Sequence, residues 1–108
     1  TDVSLVEPLL GQCTAASTVG RHELAVAACR RALDVADRAG SAAVMGPSRV
    51  ALARALWAQA EGGGTATPDI REQILGLARA GLAELQRVPH PDPVKISATA
   101  TWIAEHSR

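Results

Sequence analysis

Two stretches of this chain are versions of one segment. Ala25 to Ala36 reads AVAACRRALDVA, and Ile74 to Leu85 reads ILGLARAGLAEL. In register, Cys29 falls on Ala78, Arg30 on Arg79, Ala32 on Gly81 and Leu33 on Leu82. A second pair repeats as well, with Ala53, Ala55 and Trp57 falling on Ala98, Ala100 and Trp102. The segment from Leu5 to Thr18 aligns more weakly with the one ending near Glu61, and the difference in spacing matches the insertion GGGTATP at Gly62–Pro68. The order is A-B, A-B, A. A repeated unit buries its apolar face on the next copy, so such repetition points to a stack of like hairpins.

Composition says what the hairpins are made of. Of 108 residues, 47% are hydrophobic, enough for one packed domain. There is no Phe or Tyr, and the only aromatics are Trp57 and Trp102. Alanine, the commonest residue, is the best helix former and lets helices approach closely. Strand-favouring residues are too sparse to alternate. The expected fold class is all-α: antiparallel helical hairpins, about five helices, stacked as a short right-handed solenoid.

Punctuation places the five helices. Ser4 and Glu7 have capping-box spacing, Val3 is placed as a hydrophobic staple, and Gly20 ends the first helix. The second runs from about His22 to Arg38 and stops at Gly40, with Ala25, Ala28, Cys29, Ala32 and Ala36 on its inward face. Gly46-Pro47 predicts a short turn over 41–45 and a main third helix from Pro47 to about Glu61, with apolar Val50, Leu52, Leu56 and Trp57. Thr67-Pro68-Asp69 opens the fourth, which runs to about Arg87 with Ile74, Ala78, Gly81, Leu82 and Leu85 on one face, and Asp92-Pro93 opens the fifth. The chain reads as a single domain over 1–108, with hairpin 1 at about 4–39, hairpin 2 at about 41–87 and a C-terminal capping helix at about 93–107.

Charge and special residues exclude several functions. Eleven basic residues balance eleven acidic ones, which argues against a nucleic-acid surface. Arginine outnumbers lysine ten to one, most simply through codon bias, alternatively through an arginine-selected binding face. No apolar run is long enough to span a membrane, and TDVSLVE lacks the basic and apolar regions of a leader. Two cysteines are too few for a disulfide scaffold, so a reduced, cytoplasmic protein is expected. Cys13 and Cys29 flank the turn at Gly20 at similar distances and fall at nearly the same height of a hairpin. They are either bridged or, the reading the alanine-rich surroundings favour, two small buried hydrophobes.

His22, His90 and His106 lie far apart near element ends, without metal-ligand spacing, and are expected to be solvated. No nucleophile motif is present, and the GGG loop lacks the Lys-Ser/Thr of a phosphate loop. No catalytic residue, cofactor or metal is expected, and the chain is not read as an enzyme. Asp34 and Arg38 form an i,i+4 pair.

Val19-Gly20-Arg21-His22-Glu23-Leu24-Ala25, followed by Cys29 and Ala32-Leu33, resembles the turn and second helix of a tetratricopeptide repeat (TPR), and Gly62, Ile74, Ala78 and Gly81-Leu82 repeat the pattern less faithfully. The repeat is longer than the family's usual period and closer to its long-helix variants. Cys29 or Ala78 stands where the family usually has an aromatic. A generic hairpin array or a helical bundle is the alternative architecture.

The resemblance implies a regulatory scaffold or adaptor, of the kind carried by bacterial signal-transduction ATPases and transcriptional regulators. It would bind a partner peptide or helix on a concave face lined by the first helix of each pair. On that analogy Leu5, Leu9 and Gln12 and, from the third helix, Arg49, Leu52, Leu56 and Gln59 face the partner. The family's terminal-carboxylate clamp uses Lys and Asn on first helices. This chain has no Asn, and its one lysine, Lys95, is in the last helix. Trp57 is expected in the core, whereas Trp102 is divided between core and interface. Val94, Ile96, Trp102 and Ile103 make the last helix more apolar than one face requires, so a homodimer through it is a second reading. A small-molecule-binding bundle is a third.

Overall fold

Proline and glycine divide the chain into five helices in the computed structural model, which describes residues 3–108. Thr1 and Asp2, the start of the stretch read for a leader, lie outside the described residues. The helices are α1 (Val6–Thr18), α2 (His22–Ala39), α3 (Ala42–Gly62), α4 (Pro68–Arg87) and α5 (Pro93–His106). A 3-10 turn, Val3–Leu5, precedes α1, and no strand occurs among the described residues. No helix is long and apolar enough to cross a membrane.

The helix ends follow from side-chain and backbone capping. Thr67 Oγ1 accepts from the Ile70 N–H at 3.2 Å, and Asp92 Oδ1 accepts from the Val94 N–H at 2.9 Å. Pro68 and Pro93 then occupy first-turn positions, where a missing N–H costs least. Gly40 stops α2 in the left-handed region, with φ 66°, which turns the Ser41 N–H back to the Ala36 carbonyl at 3.3 Å. At α1 the expected cap is displaced. Ser4 falls within the 3-10 turn, and Leu5 takes the cap position without a side-chain cap bond. The expected Asp34–Arg38 pair forms on the surface of α2 at 3.2 Å.

Helix α3 departs from its expected form. It is continuous through Gly46-Pro47 instead of starting at Pro47. Proline inside a helix forfeits one hydrogen bond and crowds the carbonyl four residues back. Packing outweighs that cost, because Gly46, Ser48 and Val50 are all buried. Ser48 Oγ donates to the Val44 carbonyl at 2.6 Å, which satisfies the hydroxyl within the helix.

The burial of Gly46 reflects a close crossing of α3 over α4. A Cβ built on Gly81 lies 2.7 Å from Val50 Cγ2 and 3.0 Å from the Gly46 carbonyl oxygen. One built on Gly46 lies 3.1 Å from the Gly81 carbonyl oxygen and 3.1 Å from the Leu85 nitrogen. The two backbones touch directly at this point. Beside it, the Arg49 guanidinium donates to Glu84 Oε1 at 2.7 Å and ties the same two helices.

Antiparallel neighbours surround α3, which serves two halves of one core. On one side Cys13, Ala25, Val26, Cys29, Leu52 and Ala55 pack together, with Val6, Leu9, Ala32, Val35 and Ala36 beyond them. On the other side Ala53, Ala60, Ile74 and Ala78 pack beneath Trp57, Trp102 and Ile103. The inward stripes expected for α2 and α4 are thus buried, though Ala28 and Leu82 are only half-buried.

Cys13 and Cys29 are bridged, with Cα atoms 5.5 Å apart. This replaces the reading of two unlinked small hydrophobes. An antiparallel hairpin about Gly20 brings the two positions to one height, and both are buried, at 3% and 0% exposure. The bridge staples α1 to α2.

Two stability predictions follow from this packing. Gly81→Ala should destabilise the fold by about 1–3 kcal/mol through overpacking, although alanine is the better helix former. Gly76→Ala, on the open face of the same helix with nothing within 4 Å, should stabilise by about 0.5–1 kcal/mol. Urea unfolding of the pair reads the difference in sign. Removing the bridge, by reduction or as Cys13→Ala with Cys29→Ala, should cost about 3 kcal/mol for a loop of about 15 residues. Alkylation of the unreduced protein followed by mass spectrometry should find no free thiol.

Candidate functional site

A cleft of about 440 Å³ opens between α1, α3 and α5, the first helix of each pair and the lone fifth. Helix α1 contributes Cys13, Thr14, Ser17 and Thr18 to one wall. Helix α3 forms the floor with Val50, Ala51, Ala55 and Ala58 and raises Arg54 at the side. Helix α5 forms the far wall with Lys95, Ala98 and Thr99, while Leu85 of α4 closes the base. Small residues on α3 create the space, since alanines at 51, 55 and 58 share one face of a helix with 3.6 residues per turn.

The walls are polar in a particular sense. Thr14 Oγ1 donates to the Leu10 carbonyl at 3.1 Å, Thr18 Oγ1 to the Thr14 carbonyl at 2.9 Å and Thr99 Oγ1 to the Lys95 carbonyl at 2.7 Å. These hydroxyl protons are spent on the helices' own backbones. The remaining donors of the cleft are the Ser17 hydroxyl and the cations Arg54 and Lys95. No lining residue is acidic, and among the described residues neither cation is ion-paired with a carboxylate.

The far wall depends on an aromatic anchor. Trp57 of α3 meets Trp102 of α5 edge to face, with centroids 5.7 Å apart. His106 stacks on Trp102 at 4.2 Å, and its Nδ1 lies 2.6 Å from the Trp102 carbonyl oxygen. Arg54 extends its guanidinium over Trp102, 5.9 Å from the ring centroid, so the anchor also steers one of the cleft's cations. His106 is therefore half-buried rather than solvated. His22 departs from expectation too, since its ring lies against Gly62 and its Nδ1 is buried without a hydrogen-bond partner. Among the described residues no group of three or more His, Cys, Asp or Glu is arranged to hold a metal ion.

The residues expected to face a partner lie mostly elsewhere. Leu9 and Leu52 are core residues, at 6% and 5% exposure. Leu5 and Gln12 are exposed but do not line the cleft. Arg49 is ion-paired to Glu84. Arg49, Leu52, Leu56 and Gln59 occupy the side of α3 opposite the cleft, in the lining of two smaller depressions against α2 and α4. Trp102, divided in expectation between core and interface, packs half-buried on Trp57.

Leu52 and Leu56 of α3 turn towards α2 and α4, and Ala51, Ala55 and Ala58 are left facing the cleft. Ala51, Arg54, Ala58, Lys95 and Ala98 line the cleft without being among the residues expected to face a partner. The one signal in the sequence was the match of Ala53, Ala55 and Trp57 to Ala98, Ala100 and Trp102, which marks α5 as another first helix. Comparison with known proteins finds no matching family model, no matching curated protein and no matching solved structure.

Trp102→Ala should remove the anchor and cost about 3 kcal/mol, at the low end for truncating a tryptophan because Trp102 is only half-buried. Hydrogen exchange should then rise in α5 before it rises in α1 and α2.

Proposed function

We propose that this chain is a protein-interaction module, similar to a TPR array, that holds a peptide or helix of a partner in the cleft between α1, α3 and α5. One observation carries the reading. The first helices of the successive pairs converge on a single open, largely apolar cleft floored by alanines. Small residues let a partner's backbone come close while its side chains fill the spaces between. Stacking of the hairpins as a right-handed solenoid belongs to the same proposal, as does the role of adaptor or regulatory scaffold. The cleft offers binding surface and no arrangement of nucleophile, base and orienting group, so we read it as a binding site rather than a catalytic one.

The rival readings have less support. A homodimer through α5 draws on its four apolar residues, yet Ile96, Trp102 and Ile103 are half-buried, and only Val94, 75% exposed, stands free. A small-molecule site calls for an enclosed pocket with convergent polar groups, whereas this cleft is open to solvent. Location is pulled two ways. The low cysteine count favours a cytoplasmic protein, and the buried bridge favours surroundings that keep thiols oxidised.

Filling the cleft tests the proposal. Ala98 is exposed, so Ala98→Phe should keep the unfolding midpoint of the parent. Ala58→Phe fills the floor from the other side. Affinity capture followed by mass spectrometry should show partners of the parent chain lost with both variants. A set of partners indifferent to both excludes the cleft as the binding site.

A further inference from the structure

Resting on the cleft as the binding site, we infer that its occupant is an acidic segment, with side-chain carboxylates set beside small or aliphatic residues. The charge distribution carries this. The chain as a whole is neutral, with eleven charges of each sign. The cleft is not: it holds two cations and no acid. Four other arginines are already engaged, Arg38 with Asp34, Arg49 with Glu84, Arg71 with Glu61 and Arg79 with Glu72, and the remaining arginines do not line the cleft. Arg54 and Lys95 face the cleft from different helices, and among the described residues neither has a carboxylate partner. With the threonine hydroxyls of the walls committed to their own helices, the cleft offers two cationic donors and the Ser17 hydroxyl above an apolar floor.

Each cation has a distinct part. The Arg54 guanidinium, held near the Trp102 face, presents a planar fork suited to two oxygens of one carboxylate. Lys95, the chain's only lysine, supplies a mobile point charge from the α5 wall. An occupant with two carboxylates set beside an apolar residue meets both cations and the floor. Engaging Arg54 draws it from the Trp102 ring, so binding should change tryptophan emission, to which only Trp57 and Trp102 contribute in a chain without tyrosine.

A linear peptide display library selected against the intact chain tests the inference. The selected pool should be enriched in Asp and Glu over the starting library. Synthetic copies with amidated C-termini should bind, weaken with added salt and shift the tryptophan emission. Lys95→Glu and Arg54→Glu, both at exposed positions, should together weaken binding by about tenfold or more. Lysine-for-glutamate versions of the peptides should then prefer the doubly reversed variant. Neutral or basic peptides that are still blocked by Ala98→Phe would overturn the acidic occupant and leave the cleft reading standing. Acidic peptides indifferent to Ala98→Phe, to Ala58→Phe and to charge reversal would overturn both, as would an empty selection. Dependence on a free C-terminal carboxylate would overturn recognition through side chains. If light scattering finds a dimer that Arg54→Glu with Lys95→Glu dissolves, the cleft belongs to a second copy, and the inference fails.

Discussion

Helix α3 can lie as close to α4 as it does only because neither backbone carries a side chain where they cross. Gly46 and Gly81 meet carbonyl to Cα, and Val50 fills the space beside them. At such a separation the dispersion contacts of two backbones replace those of side chains. The crossing compensates for a proline inside α3, and the Arg49–Glu84 ion pair lies next to it. It also sets the direction in which α4 leaves α3 and, through a short connection, where α5 begins.

Helix α3 is therefore shared by everything else. Its Leu52 and Leu56 serve α2 and α4, its Trp57 serves α5, and Ala51, Ala55 and Ala58 remain for the cleft. Two further ties determine the cleft's width. The Cys13–Cys29 bridge holds α1 against α2, and the Trp57–Trp102–His106 stack holds α5 against α3. Neither tie touches the cleft's two cations with opposing charge. The positive character of the cleft comes from Arg54 and Lys95 standing in a lining that holds no acidic residue.

Much of the helical framework was legible in the chain. The caps at Thr67 and Asp92, the prolines after them and the stop at Gly40 are local devices acting within a few residues, so they read directly. The small faces of α2 and α4 also read directly, because their spacing matches the helical period. Helix α3 was harder. Apolar residues surround it on every side, so periodicity identifies no preferred face, and Leu52, expected to face a partner, packs into the core instead. Gly46-Pro47 looked like a break because local preference, taken alone, disfavours that pair in a helix. The cysteine pair was placed at the right height, but height without the approach of the two helices leaves a bridge and a packed pair indistinguishable.

What this sequence determined by itself is the number of helices, most of their ends and the faces that α2 and α4 bury, since propensity, capping and periodicity act over a few residues. The tertiary structure decided the continuity of α3, the bridge between Cys13 and Cys29, and the meeting of Arg54 and Lys95 across one cleft. Each of these depends on how closely two helices approach, and that separation is set by the residues of both partners at once, most of all by the two glycines where α3 crosses α4.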